Sequence, residues 1–213
     1  MSISNMLYEF VKRVIDLIGA SVGLGISAPI CLVAYVLIKL DSPGPVVFSQ
    51  ERISKGGKTF KLYKFRSMID DAENILYADP KLLKEYESNS YKIKNDPRLT
   101  RIGKFLRKSS IDEIPQLWNV LMGDMSLVGP RAYRPVELAN QQEVYPETKK
   151  YVSTLLRVKP GVTGPWQVAG RSKINFEQRV RMDAEYASRM SLAYDFLILL
   201  KTIPAVLSAE GAG

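Results

Sequence analysis

Apolar positions are spread unevenly along this chain. From Leu17 to Ile38 it reads LIGASVGLGISAPICLVAYVLI, an uncharged run of about twenty residues, long enough for one helix to reach across a bilayer core. Lys12 and Arg13 precede the run and Lys39, Arg52, Lys55 and Lys58 follow it, so the positive-inside rule draws both flanks to the cytoplasm. Pro29, near the middle, removes a backbone hydrogen bond and predicts a bend. Two readings meet these facts equally: a helix that enters the membrane, breaks at Pro29 and returns, or a kinked full span. A buried core helix fits less well, because few polar positions remain to face water. The run is too long for a cleavable leader and continues into a basic flank. Gly19 and Gly23 carry the spacing of close helix contact, a weak signal alone.

Beyond the turn cluster DSPGP at Asp41 to Pro45, PVVFSQERI and KTFKLYKFRSM flank SKGGK and predict a hairpin or two neighbouring strands. The charged stretch Ile69 to Tyr91 and the basic stretch Arg101 to Lys108 predict helices. Val158 to Ser172, VKPGVTGPWQVAGRS, predicts turns. Helical spacing resumes in INFEQRVRMDAEYASRM and in LAYDFLILLKTIPAVL, Leu192 to Leu207, the latter either core or interfacial. No repeat or low-complexity tract is present. GGKT at Gly56 to Thr59 matches the end of a nucleotide-binding P-loop, but Arg52 stands at its first glycine, which excludes that motif.

Composition narrows the chemistry. At 213 residues and 46% apolar, the chain can bury one sizeable core, not comfortably two. Thirty Lys and Arg against 22 Asp and Glu, a net +8, call for a polyanionic partner: nucleic acid, anionic lipid or a phosphorylated substrate. Cys31 is the only cysteine, which excludes an intrachain disulfide and a cysteine zinc site and places the soluble part in the cytosol. Histidine is absent, so catalysis falls to carboxylates, cations, hydroxyls or a hard metal such as magnesium.

Against that background one stretch stands out, Ser109 to Arg131, SSIDEIPQLWNVLMGDMSLVGPR. Ser110 and Glu113 have the spacing of a capping box, a purely structural use. Arg101, Lys104, Arg107 and Lys108 lie just upstream of Asp112 and Glu113, and Arg131 follows a Gly-Pro corner. Such neighbours keep a carboxylate ionised and suit it to be a nucleophile or a metal ligand better than a base. Asp124 and Ser126 are expected to shape the turn between helix and strand.

That stretch closely resembles the core of the bacterial sugar transferases, the monotopic phosphoglycosyl transferases. KRVIDLIGASVGLGISAPI, FKLYKFRSM, KPGVTGPWQVAGRS and LAYDFLILLKTIPAVL resemble the same family in the same order, covering nearly the whole chain. The resemblance implies transfer of sugar-1-phosphate from a UDP-sugar to undecaprenyl phosphate, with release of UMP, as the first membrane step of a surface glycan pathway. It maps Asp112 to the covalent nucleophile and Glu113 to the ligand of Mg²⁺, the expected cofactor. Lys64, Arg66, Arg107 and Arg131 are the candidates for binding phosphate. Gln167, Arg171 and Asp183 fall in segments used around the nucleotide-sugar, although Asp183 is equally readable as an exposed helix residue paired with Arg179.

The resemblance also implies an α/β fold, more narrowly α+β and mostly helical: a monotopic membrane protein with a small sheet surrounded by interfacial helices. It selects the helix-break-helix at Pro29, with residues 1–40 as the re-entrant membrane helix and 41–213 as the cytoplasmic catalytic domain. The expected place is the cytoplasmic face of the bacterial inner membrane, with membrane lipids as partners and no nucleic acid. The short catalytic-core form is the expected type. Two departures are visible: Ala28 rather than serine precedes Pro29, and GPRAYRP replaces the commoner GPRP. Rival readings are a membrane-tethered nucleic-acid-binding protein, favoured by the charge and by Trp118 and Trp166, a metal-dependent nuclease, phosphatase or phosphodiesterase using the same dyad, and a noncatalytic scaffold. The sugar, the glycan and the oligomeric state are not readable from the sequence.

Overall fold

The computed structural model describes residues 3–88, 91, 93–170 and 174–208. The apolar run becomes α1, Ile3–Asp41, a helix of 39 residues with Pro29 inside it. Both arms fall in this single element. Ser27 donates to the Leu24 carbonyl at 3.3 Å, so a serine one position before Ala28 still supplies a local bond next to the proline. Only 17% of its most apolar window is buried, which disposes of the core-helix reading.

The predicted hairpin is β1, Val47–Ile53, and β2, Thr59–Phe65, antiparallel with Gln50 opposite Leu62 and Phe48 opposite Lys64. The charged stretch divides at Asp79 into α2, Ala72–Ala78, and α3, Pro80–Ser88. Next comes α4, Arg101–Lys108, whose first turn is capped by Thr100 accepting from the Gly103 N–H at 2.9 Å. A Cβ at Gly103 would stand 1.9 Å from the Ser67 carbonyl oxygen, so only glycine lets α4 press onto the end of β2.

The chain continues through α5, Gln116–Met122, β3, Ser126–Val128, α6, Pro135–Val144, and α7, Lys149–Leu155. The turn-rich segment holds more order than its glycines and prolines predict. It contains β4, Gly161–Thr163, paired parallel with β3, and α8, Pro165–Ala169. The last elements are α9, Phe176–Arg189, and α10, Leu192–Leu207, with N-caps Asn175 and Ser191. Among the described residues the small sheet is thus two separate two-stranded pieces among helices.

Buried apolar side chains gather in several small clusters. Two of them include the long apolar helix α1: Ala20 packs with Leu62, Val120 and Met125, and Ala34 and Ile38 pack with Val46, Phe65 and Leu106. The glycine pair explains how the helix comes so close. A Cβ on Gly19 would lie 2.6 Å from Leu127 Cδ1, and one on Gly23 would lie 2.9 Å from Leu117 Cδ1. The GxxxG face therefore meets the domain of its own chain.

Polar contacts hold α1 at both ends. Arg13 donates to the Val120 and Leu121 carbonyls at 2.6 and 2.9 Å, neutralising the C-terminus of α5. Asp16 accepts from Ser126 Oγ and the Leu127 N–H, both at 2.9 Å, so Ser126 anchors α1 as well as forming β3. At the far end Asp41 accepts the Ile102 N–H at 3.0 Å. One face of α10 buries Asp195 and Ile198, while Leu192, Phe196, Leu200, Ile203 and Leu207 form an exposed apolar stripe. The core expectation for this helix is met on one face, and the other face is apolar and exposed.

Candidate active site

The dyad lies on a short turn between α4 and α5. The expected capping box does not form: Ser110 adopts a left-handed conformation, φ 57°, and its side chain makes no cap. The reversal it produces opens a 3₁₀ turn, Ile111–Glu113, that presents the two acids from a single turn of chain. Pro115 then starts α5. Asn119, completely buried in α5, takes the place of a strand neighbour for β2, donating to the Lys61 carbonyl at 2.7 Å and accepting the Tyr63 N–H at 3.0 Å. This fixes the register of Lys64 against the dyad.

Lys64 Nζ stands 2.8 Å from Glu113 Oε1, and Gln116 donates to Glu113 Oε2 at 3.2 Å. The two acids differ in setting. Asp112 is 6% exposed, and among the described residues no side chain donates a hydrogen bond to its carboxylate. Burial pushes its pKa up to about 6, helped by the charge of Glu113 and opposed by Lys64 and Arg107. The cations upstream therefore do not hold Asp112 in the low range expected from the sequence, because desolvation outweighs them. Glu113 moves the other way. Burial raises it, but the Lys64 ammonium, the hydrogen bonds from Lys64 and Gln116 and the charge of Arg131 outweigh burial, leaving it below the usual carboxylate range.

The four candidate phosphate binders separate. Lys64 faces the dyad, and Arg107 lies near it with its Nε donating to Ser67 Oγ at 2.9 Å. Arg66 points elsewhere, to the carbonyls of Ser42 at 2.6 Å, Ile38 at 3.5 Å and Pro43, closing the C-terminus of α1. Arg131 follows the Gly-Pro corner. Its N–H donates to Asp183 Oδ2 at 3.0 Å, its guanidinium lies over Trp166 at 5.2 Å, and its Nε is buried without a partner among the described residues.

Asp183 is fully buried and accepts from Arg131 and from Tyr133 at 3.3 Å, so it is not an exposed partner of Arg179. Burial pushes its pKa up to about 7. Arg179 instead lies over the same Trp166 ring as Arg131, at 4.7 Å, and 3.9 Å from Glu137. The side chain of Gln167 has a buried Oε1 with no partner among the described residues, and Arg171 lies outside them.

Sequence reading missed the residues beneath Arg131. Arg52 from β1 stands 3.9 Å from Glu137 and donates to the Ala132 carbonyl at 3.0 Å. Burial first, then repulsion from Arg131, lowers its pKa to about 9. Arg52, Arg131 and Arg179 thus gather around Trp166 and a single buried Glu137. The signal was present only as a scatter of arginines far apart in sequence.

The chemistry of the donor set suits Mg²⁺. Two adjacent carboxylates, one held ionised and partly exposed, match an ion that takes one or two protein carboxylates and fills its shell with water and substrate phosphate. No group of three or more acids that could hold a metal occurs among the described residues, so the dyad alone would supply the carboxylates.

The family model for bacterial sugar transferases matches residues 7–209. This chain belongs to the bacterial sugar transferases. Among curated members of the family, it is 42% identical over 208 residues to a UDP-galactose-lipid carrier transferase of Erwinia amylovora, covering 96% of this chain and 42% of that one. It is 40% identical to an undecaprenyl-phosphate galactose phosphotransferase of Salmonella typhimurium, again covering 96% and 42%. An exopolysaccharide production protein of Rhizobium meliloti is 38% identical over 205 residues, 94% of this chain and 87% of that protein. The chain spans less than half the length of the first two transferases.

Proposed function

We propose that this family member transfers sugar-1-phosphate from a UDP-sugar to undecaprenyl phosphate through an aspartyl-phosphosugar on Asp112. The carrying observation is the split dyad: a buried Asp112 with a pKa near 6 beside a Glu113 held ionised by Lys64. The higher pKa makes Asp112 the stronger nucleophile while leaving it mostly ionised at neutral pH. An Asp112 oxygen attacks the β-phosphorus, the bond from that phosphorus to the bridging oxygen breaks, and UMP departs. An oxygen of the lipid phosphate then attacks the same phosphorus and displaces the carboxylate of Asp112. Both nucleophiles are anions, so neither step needs histidine as a base.

The barrier is charge repulsion, and the residues near the dyad oppose it. Lys64 and Arg107 are close to the acids, and Arg131 approaches from the Gly-Pro corner. Arg66, engaged on the end of α1, serves the fold in this reading. Mg²⁺ held by Glu113 would supply further neutralisation of the phosphoryl oxygens. Asp183 acts by fixing the backbone of Arg131.

The contacts of α1 support a monotopic arrangement. The part of α1 from Arg13 to Asp41 would be about 42 Å long if straight, yet Arg13 and Asp16 at one end and Ile38 and Asp41 at the other touch the same domain. A span crossing a core of about 30 Å would separate those ends. Both ends are therefore read as cytoplasmic, with the exposed apolar faces of α1 and α10 in the lipid of the inner membrane. The partners are then a UDP-sugar, undecaprenyl phosphate and membrane lipids. Trp166, one of the two tryptophans that favoured nucleic acid, is buried against Arg131 and Arg179 and offers no stacking face.

The test is to incubate the purified protein with undecaprenyl phosphate and a panel of UDP-sugars. UMP together with a lipid-linked sugar is expected. UDP in place of UMP would mean transfer of the sugar alone and would end this reading.

A further inference from the structure

A cavity of about 170 Å³ lies between α8, α9 and α10. Pro165, Val168 and Ala169 form one wall, Met182 another, and Leu197 and Lys201 the third. We propose that this cavity receives the isoprenoid units next to the phosphate of the lipid acceptor, an inference that rests on the transfer reaction above.

Size and lining suit a hydrocarbon. An apolar cavity near 150 Å³ holds a six-carbon ring, so this one is large enough for a five-carbon isoprene unit. Its lining is mostly apolar, with Ile198 beside Leu197, and its polar groups come from Tyr194 and Lys201. The position suits a chain that must lead to the dyad from the membrane. α8 is only five residues long and has two different faces: Trp166 lies against Arg131 and Arg179, while Pro165, Val168 and Ala169 line the cavity. One short helix thus separates the arginine cluster from the apolar space. On the other side Leu197, which lines the cavity, is 44% exposed and adjoins Phe196 of the apolar stripe of α10 in sequence. Lys201 is exposed at the rim. Its stem can line the wall while its ammonium stays with the headgroups, a combination suited to an anionic amphiphile.

Two filling variants, Val168→Trp and Leu197→Trp, test the assignment in vesicles of defined phospholipid. Capture of the phosphosugar from UDP-sugar without acceptor serves as the internal control. The expected result is capture at the unaltered rate and a KM for undecaprenyl phosphate raised at least about tenfold. An unchanged acceptor KM in variants that capture normally would overturn the proposal, and so would weaker vesicle binding with unchanged acceptor KM, which would assign the cavity to bulk lipid. A second arm does not depend on turnover. A prenyl phosphate carrying a diazirine on its first isoprene units should label peptides of α8, α9 or α10 in the unaltered protein and lose that labelling on Val168→Trp. Labelling confined to other segments would refute the site. Absence of capture by the unaltered protein would instead count against the transfer reading, leaving the photolabel to decide the cavity.

Discussion

Two aspartates are almost equally hidden in this protein, Asp112 at 6% exposed and Asp195 at 7%, and their surroundings differ completely. Asp195 receives Lys12 Nζ at 2.7 Å, Tyr8 OH at 3.0 Å and the hydroxyl of Tyr186. Tyr186 also reaches the Val128 carbonyl at 3.2 Å, so this acid ties the start of α1 to α9, α10 and the strand leading to Arg131. Asp112 has charges nearby but no side-chain donor on its carboxylate among the described residues. A buried acid whose lone pairs are filled is a strut. One left desolvated near cations is costly to the fold, and that cost accompanies reactivity.

If this contrast is right, removing the two acids should have opposite consequences. Asp112→Asn should lower phosphosugar capture by about 10⁴-fold or more, since the anionic nucleophile is gone. The same change should stabilise the protein at neutral pH. A folded pKa raised above the unfolded value is a penalty that is absent below the unfolded pKa, grows as pH rises to about 6 and is complete above it. Relieving it is worth up to about 3 kcal/mol. Thermal melting in detergent at pH 8 and at pH 4 checks this: the variant should gain at the higher pH and little at the lower. A loss at pH 8 would show that Asp112 is a strut too.

Asp195→Leu should leave the half-buried Lys12 without its carboxylate, costing up to about 3 kcal/mol in melting experiments. Whatever fraction remains folded should still capture the phosphosugar. Lys64→Gln tests the electrostatic half of the contrast. It should slow capture about tenfold to a hundredfold. It should also move the pH midpoint upward, because Lys64 lowers the pKa of both acids. The smallest effect is in the unaltered protein, where capture without added metal should level off above pH about 6 and fall about tenfold per unit below it.

Much of this molecule was legible because its strongest signals are local. The uncharged run from Leu17 to Ile38, the alternating hairpin strands and the spacing of α9 and α10 each declare an element within their own residues. The dyad could be found for the same reason, being two adjacent acids. What the sequence concealed is long-range. Arg66 sits two residues from Lys64, yet it turns to the end of α1 while Lys64 turns to Glu113. Glu137 and Arg52 are 85 positions apart and meet only because α6 folds back on β1. β4 was hidden by a different cause: a three-residue strand set between Pro160 and the Gly164-Pro165 pair has too little period to stand against its turn residues. Burial of Asp112 was hidden too, since the cations beside it in sequence suggested the opposite shift.

The account stands most directly on where the phosphosugar becomes attached. The protein should be incubated with UDP-sugar and Mg²⁺ in the absence of lipid acceptor, quenched, digested and examined by mass spectrometry. The account predicts one modified peptide bearing the mass of a sugar phosphate on Asp112, lost when undecaprenyl phosphate is added. A modification on Glu113, or sustained release of UMP into lipid product by the Asp112→Asn protein, would contradict it.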